Sequence, residues 1–137
     1  MKGLRILLIL SLLYVGIVIV FELLIGYFQP SNEGTLTLTT TTAAGNSHDR
    51  VLSRLESNGS LYVAVNHWPR AWFKQVLNYP DVQVALNNGD PMKDDYTATQ
   101  VTGAEHDRVQ SDNPSPFFFR VLTGFPPRYF VRLDPKN

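Results

Sequence analysis

Residues 4–28, LRILLILSLLYVGIVIVFELLIGYF, are almost wholly apolar after Arg5, and no other part of the chain narrows its structural choices as much. As a helix, the stretch from Ile6 to Phe28 would extend about 34 Å at 1.5 Å per residue, enough to cross a hydrocarbon core of about 30 Å. The run exceeds the apolar core of a signal peptide and no small-x-small cleavage site follows, so it predicts an uncleaved, single-pass transmembrane anchor over residues 4–28. Lys2 and Arg5 precede it, and the next basic residue is Arg50. That asymmetry places the amino terminus in the cytoplasm and the remaining chain on the periplasmic or other extracytoplasmic side, with membrane lipid as a partner. Glu22 is costly inside lipid. Lying near the Tyr27-Phe28 edge, it is expected to snorkel toward the interface, or else to mark a partner helix or a functional carboxyl.

After a short linker, 29–34, the remaining residues 35–137 suffice for one domain with one core. The chain carries twelve Lys and Arg against twelve Asp and Glu, a formal charge of zero, and no basic patch points to nucleic acid. With no cysteine, disulfides, thiol catalysis and thiolate metal sites are excluded. Two His-Asp pairs, His48-Asp49 and His106-Asp107, are too few and too scattered to predict a metal site. Ser47, adjacent to the first pair, cannot make a triad by adjacency, because triad members converge from separate segments.

Beyond the linker the apolar pattern changes to period two. Thr35-Leu36-Thr37-Leu38-Thr39 alternates strictly and predicts a strand. A loop around Gly45 and a second strand over Arg50–Leu55 follow, and Asn58-Gly59 is a strong hairpin signal leading into a third strand at Leu61–Val65. Val82–Leu86 alternates again, the turn-rich 87–91 follows, and Tyr96–Val101 answers as the next strand. Thr102 and Glu105 have capping-box spacing, so a short helix to about Gln110 is expected. Phe117–Leu122 is apolar on both faces and leaves strand and helix open. Arg128–Leu133 closes the chain as a final strand. Five or six short strands with tight turns predict a mainly β fold, a small antiparallel barrel with two or three short helices, since closure removes exposed edges.

Asn66–Pro80, NHWPRAWFKQVLNYP, is the candidate ligand end. Pro69 suits the first helical position, Trp72, Phe73, Val76 and Leu77 recur on one helical face, and Asn78-Tyr79-Pro80 ends the helix. A helix start carries unpaired N–H groups and partial positive charge, so an anion near Arg70 and Lys74 would be doubly favoured. His67 and Trp68 stand at the same end. The alternative for Trp72, Phe73, Val76 and Leu77 is that they simply dock the helix on the sheet.

Trp72-Phe73, then Val76, then Pro80-Asp81-Val82-Gln83-Val84, together with Thr39–Thr42 and Arg50, resemble the nitroreductase and quinone-reductase family of deazaflavin-dependent oxidoreductases over residues 35–101. The resemblance implies a split β-barrel shared with proteins that bind FMN, a bound deazaflavin coenzyme or FMN, hydride transfer to a quinone or nitro compound, and frequent homodimers. It gives Arg50 a role in holding cofactor phosphate, shared with the helix start at Arg70 and with Lys74. Asn66 and His67 would hydrogen-bond the ring or substrate, and Trp68 and Trp72 would wall the ring. The chain departs from the pattern in the 43–49 loop, which has no Lys or Arg where the family has a basic segment. Phe73, Gln75 and Tyr79 replace a Tyr and two Asn. The other reading is a cofactor-free split barrel serving as an anchored binding or assembly module.

Overall fold

Strand β1 (Thr35–Thr41) is where the alternating pattern begins, and it lies inside the sheet, so both of its faces are largely covered. A computed structural model describes residues 1–27, 34–66, 68, 71–86 and 92–137. Most of the expected linker, together with His67, Pro69, Arg70 and the turn at 87–91, lies outside those residues. In chain order the elements are α1 (Lys2–Tyr27), β1, β2 (Ser47–Ser53), β3 (Leu55–Ser57), β4 (Ser60–Val65), α2 (Ala71–Asn78), β5 (Asp81–Ala85), β6 (Asp94–Val101), α3 (Gly103–Asp112), α4 (Phe117–Leu122) and β7 (Tyr129–Pro135).

The seven strands form one antiparallel sheet in the order β2-β1-β5-β6-β7-β4-β3. It curls so that β2 approaches β4, which stands near the other end of that order. The architecture is the expected mainly β, antiparallel fold with three short helices after the first, but with one strand more than the upper expectation. The expected second strand is two strands, divided at Arg54, whose N–H donates to the Gly34 carbonyl in continuation of the β1–β2 register before Leu55 turns to pair with β4. Asn58 and Gly59 both have positive φ, 49° and 75°. That is the two-residue turn whose twist matches a right-handed hairpin, and it pairs Ser57 with Ser60.

The sheet's inner face is lined by Leu36, Leu38, Val63, Val65, Val82, Val84 and Val131, and α2 covers it with Trp72, Phe73 and Val76. Phe73 stacks on Tyr129 with ring centroids 5.5 Å apart and planes 10° apart. Leu77, expected on the docking face, is 48% exposed. A second cluster, Tyr62, Ala64, Val101, Val109 and Phe130, fills the opposite face beneath α3. At the start of α3, Thr102 is the N-cap but makes no side-chain cap bond. The capping box fails because Glu105 turns to the sheet, accepting from Arg132 at 2.9 Å and from Tyr62 at 2.8 Å.

Helix α1 is long and apolar enough to cross a membrane, and its Leu, Ile and Val side chains are mostly exposed. One stripe of it, two turns long, rests on α4. Tyr14 Oη donates to the Val121 carbonyl at 2.8 Å, and Phe21 meets Phe119 edge-on at 6.0 Å. A Cβ at Gly124 would come within 3.2 Å of Val18, at a φ of +74° that side chains rarely adopt. Glu22 is 9% exposed. It is turned into the protein rather than outward as a snorkelling side chain would be. The undecided segment at 117–122 is the helix α4, with Phe117 and Phe118 each 72% exposed.

Candidate functional site

Pairing of Val65 with Tyr129 at the end of the β4–β7 ladder sets Asn66 beside Arg128, and both continue the outer face that carries Ala64 and Phe130. Arg128 is firmly held. Its Nε donates to Asn66 Oδ1 at 2.6 Å, and Nη1 donates to Gln110 Oε1 at 3.1 Å and to the Asn113 carbonyl. The guanidinium also lies 4.7 Å from the Phe130 ring centre. Burial, and then the charge of Arg120, lower its pKa from the ordinary guanidinium value, but it remains a cation at neutral pH.

The turn after α4 forms the opposite wall. Thr123 is fully buried and donates to the Phe119 and Arg120 carbonyls, while Trp68 Nε1 donates to the Thr123 carbonyl at 3.2 Å. Phe125 has a φ of +53°, an unusual conformation for a bulky side chain. Its N–H donates to the Arg120 carbonyl and its ring faces the Arg120 guanidinium at 5.5 Å. Asn66, Gln110, Arg120, Thr123, Phe125 and Arg128 line a cavity of about 270 Å³. Among the described residues two guanidinium groups face it, and no carboxylate lines it.

Of the residues expected to form the ligand end, the structure brings Asn66 to this cavity and ties Trp68 to its wall. Arg50 is half-buried on β2. It pairs with Leu38, and directly opposed residues of antiparallel strands share a face, so it projects to the inner side while Asn66 projects to the outer side. Trp72, 4% exposed, is packed in the inner core, where it has no open face to offer a ring. Lys74 is exposed on α2. His67 and Arg70 lie outside the described residues. The sequence reading missed Arg120, Thr123, Phe125 and Arg128 as site residues. A cation inside an apolar run was the available signal for Arg120, and nothing local marked Arg128.

Two further polar clusters are present. On β1–β2, Thr39 donates to Asp49 at 2.6 Å and Lys93 donates to the same carboxylate at 2.8 Å. The Lys93 hydrogen bond, then that of Thr39, holds the Asp49 carboxyl below the usual range. On the other face His106 Nε2 lies 3.0 Å from the Arg128 carbonyl, so the two His-Asp pairs serve different elements. No group of three or more His, Asp or Glu side chains placed to hold a metal occurs among the described residues.

No protein-family model matches the chain, and no curated protein matches it by sequence. Solved structures do match its fold. HutZ, the heme storage protein from Vibrio cholerae, superposes with a TM-score of 0.60 at 17% identity, covering 77% of this chain and 84% of its own. An F420-H2-dependent reductase, FDR-A, gives 0.56 at 21% identity, covering 74% and 94%. An FAD-binding protein from Mesorhizobium loti gives 0.53 at 14% identity, covering 75% and 79%. The chain shares the split-barrel fold of these proteins. At such identities the likeness is one of fold, and the three named proteins are associated with heme, a deazaflavin and FAD respectively.

Proposed function

We propose that the chain is a membrane-tethered split-barrel oxidoreductase that uses a flavin or deazaflavin to deliver hydride to a quinone or nitro compound. The observation that carries this reading is the superposition on an F420-H2-dependent reductase over 94% of that reductase's length. Arg50 supports it. A half-buried guanidinium on the inner side of β2 stands where the sequence resemblance assigns a phosphate contact, and Thr40 beside it donates to Gln75 of α2 at 2.6 Å, bracing that helix against the strand.

The residues present fit a compact phosphate better than a long anionic tail. The 42–46 turn closes on itself, with Thr42 N–H donating to the Asn46 carbonyl and Asn46 N–H to Thr42 Oγ1, and it contains no cation. FMN, whose only anionic group is one phosphate, is therefore favoured over a polyanionic deazaflavin. When bound, the group supplies the electron pair; the protein supplies an anion contact, orientation and an apolar surround. Arg50 would hold the phosphate, and Arg70 and Lys74 would add positive charge at α2. The domain works outside the cytoplasm in this reading, and a homodimer would complete the ligand cleft. The core position of Trp72 favours the second reading, a cofactor-free binding or assembly module on the same anchor.

The test is the absorbance spectrum of the full chain extracted in detergent, followed by titration with FMN and with deazaflavin. A flavin-type band, or saturable binding that Arg50→Ala weakens about ten- to a hundredfold, supports the oxidoreductase, since a charge-assisted contact contributes roughly 1.5–3 kcal/mol. A colourless protein that binds neither compound overturns it in favour of the binding module.

A further inference from the structure

The cavity between β7, α3 and α4 is not needed by the reading above, because it opens on the opposite side of the sheet from Arg50. Its chemistry is distinctive. Arg128 is oriented by three neutral acceptors, and Arg120 meets the Phe125 ring. Among the described residues neither forms a salt bridge, in contrast to Arg54, Arg108 and Arg132. Two like charges facing one concavity of about 270 Å³, with no carboxylate among the described residues of its lining, repel each other unless an anion lies between them. Guanidinium forks match phosphate oxygens well, and phosphate can accept from both at once.

The neighbouring surface says where such a phosphate would come from. Leu122 of α4 lines, with Leu13, Ile17 and Phe21 of α1, an apolar groove of about 490 Å³. Phe117 and Phe118 are exposed on the same short helix. One helix thus contributes Arg120 to a cationic cavity and Leu122 to an apolar groove. An anionic amphiphile needs those two surfaces side by side. We propose that Arg120 and Arg128 form a phosphate-binding site beside the anchor helix, able to take the phosphate of an anionic lipid head group or free phosphate.

The experiment uses the full chain in a non-ionic detergent. Native mass spectrometry with equimolar phosphatidylglycerol and phosphatidylcholine counts lipid adducts, and thermal unfolding with added inorganic phosphate reads the free anion. Arg120→Gln is the test variant, since Arg120 is exposed and outside both core clusters. Arg54→Gln, which removes the same charge elsewhere, is the control. The expected result is a preference for phosphatidylglycerol of about tenfold or more, lost in Arg120→Gln and kept in Arg54→Gln, as one charge-assisted contact of about 1.4 kcal/mol implies. Stabilisation by inorganic phosphate without a lipid preference, lost in the same variant, supports the site and assigns it to free phosphate. Equal adducts of both lipids with no phosphate stabilisation overturn the proposal, and so does an Arg120→Gln variant that binds like the parent. Binding of FMN to Arg50 has no bearing on any of these outcomes.

Discussion

Glu105 shows how one side chain can leave the role its spacing predicts. Thr102 and Glu105 stand three apart, yet Arg132 on β7 offers two donors, to Oε1 at 2.9 Å and Oε2 at 3.0 Å. A charge-assisted contact in which Arg132 Nη1 reaches both carboxylate oxygens outweighs a single neutral backbone N–H at a helix start. The Arg132 hydrogen bond comes first among the causes that hold the Glu105 pKa below its ordinary 4.5. A carboxyl with a depressed folded-state pKa adds stability that is fully present above the unfolded value and is lost as pH falls through the folded one. Melting temperatures of the parent and Glu105→Gln should therefore differ at pH 7 by a few degrees, on the order of 1 kcal/mol for side chains about 30% exposed. The gap should narrow steadily below about pH 4.5. A gap that is constant from pH 7 to 3 would mean that the charge contributes nothing.

At the scale of the element, α2 is held by what it buries. Trp72, Phe73 and Val76 are the buried side chains of an eight-residue helix, too short to be stable alone. Trp72→Ala should lower stability by about 3–5 kcal/mol, read from thermal or denaturant unfolding; a loss below about 1 kcal/mol would place the indole outside the core. The period-two strands and the Asn58-Gly59 hairpin were legible in the sequence because their signals are local. Helix α4 was not, because FFFRVL has no polar face to give it a period: one side meets α1 and the other is exposed and aromatic. The cavity was illegible for a related reason. Asn66, Gln110, Arg120 and Arg128 come from separate segments, and only the β4–β7 register and the turn at Gly124-Phe125 bring them together. Arg50 and Asn66 looked like one site in sequence, but their places in the ladders set them on opposite faces.

For the whole molecule, the proposed membrane tether raises the question of how the barrel would sit relative to a bilayer. Neither core cluster includes a residue of α1, so the sheet does not depend on that helix for its interior. In the proposed reading, the charge asymmetry of Lys2 and Arg5 directs the domain outward. A reporter enzyme that works only outside the cytoplasm, fused after Asn137, should be active, and one that works only inside should not; the reverse pattern would invert the orientation. Tyr14 and Phe21 of α1 touch α4, and Val18 lies against Gly124 just beyond it, so a bilayer around α1 would bring α4 and its exposed phenylalanines toward lipid.

Strand β7 stands between β6 and β4 in the sheet order, yet it follows both of them in the chain, with α3 and α4 intervening after β6. Without it the ladder falls into two pieces, β2-β1-β5-β6 and β4-β3, and the second of these is a lone hairpin, marginal on its own. The barrel therefore cannot close until β7 has joined both pieces. Until it does, the unpaired edges of β6 and β4 are open to other chains, so the docking of β7 governs when this domain stops being vulnerable to mispairing.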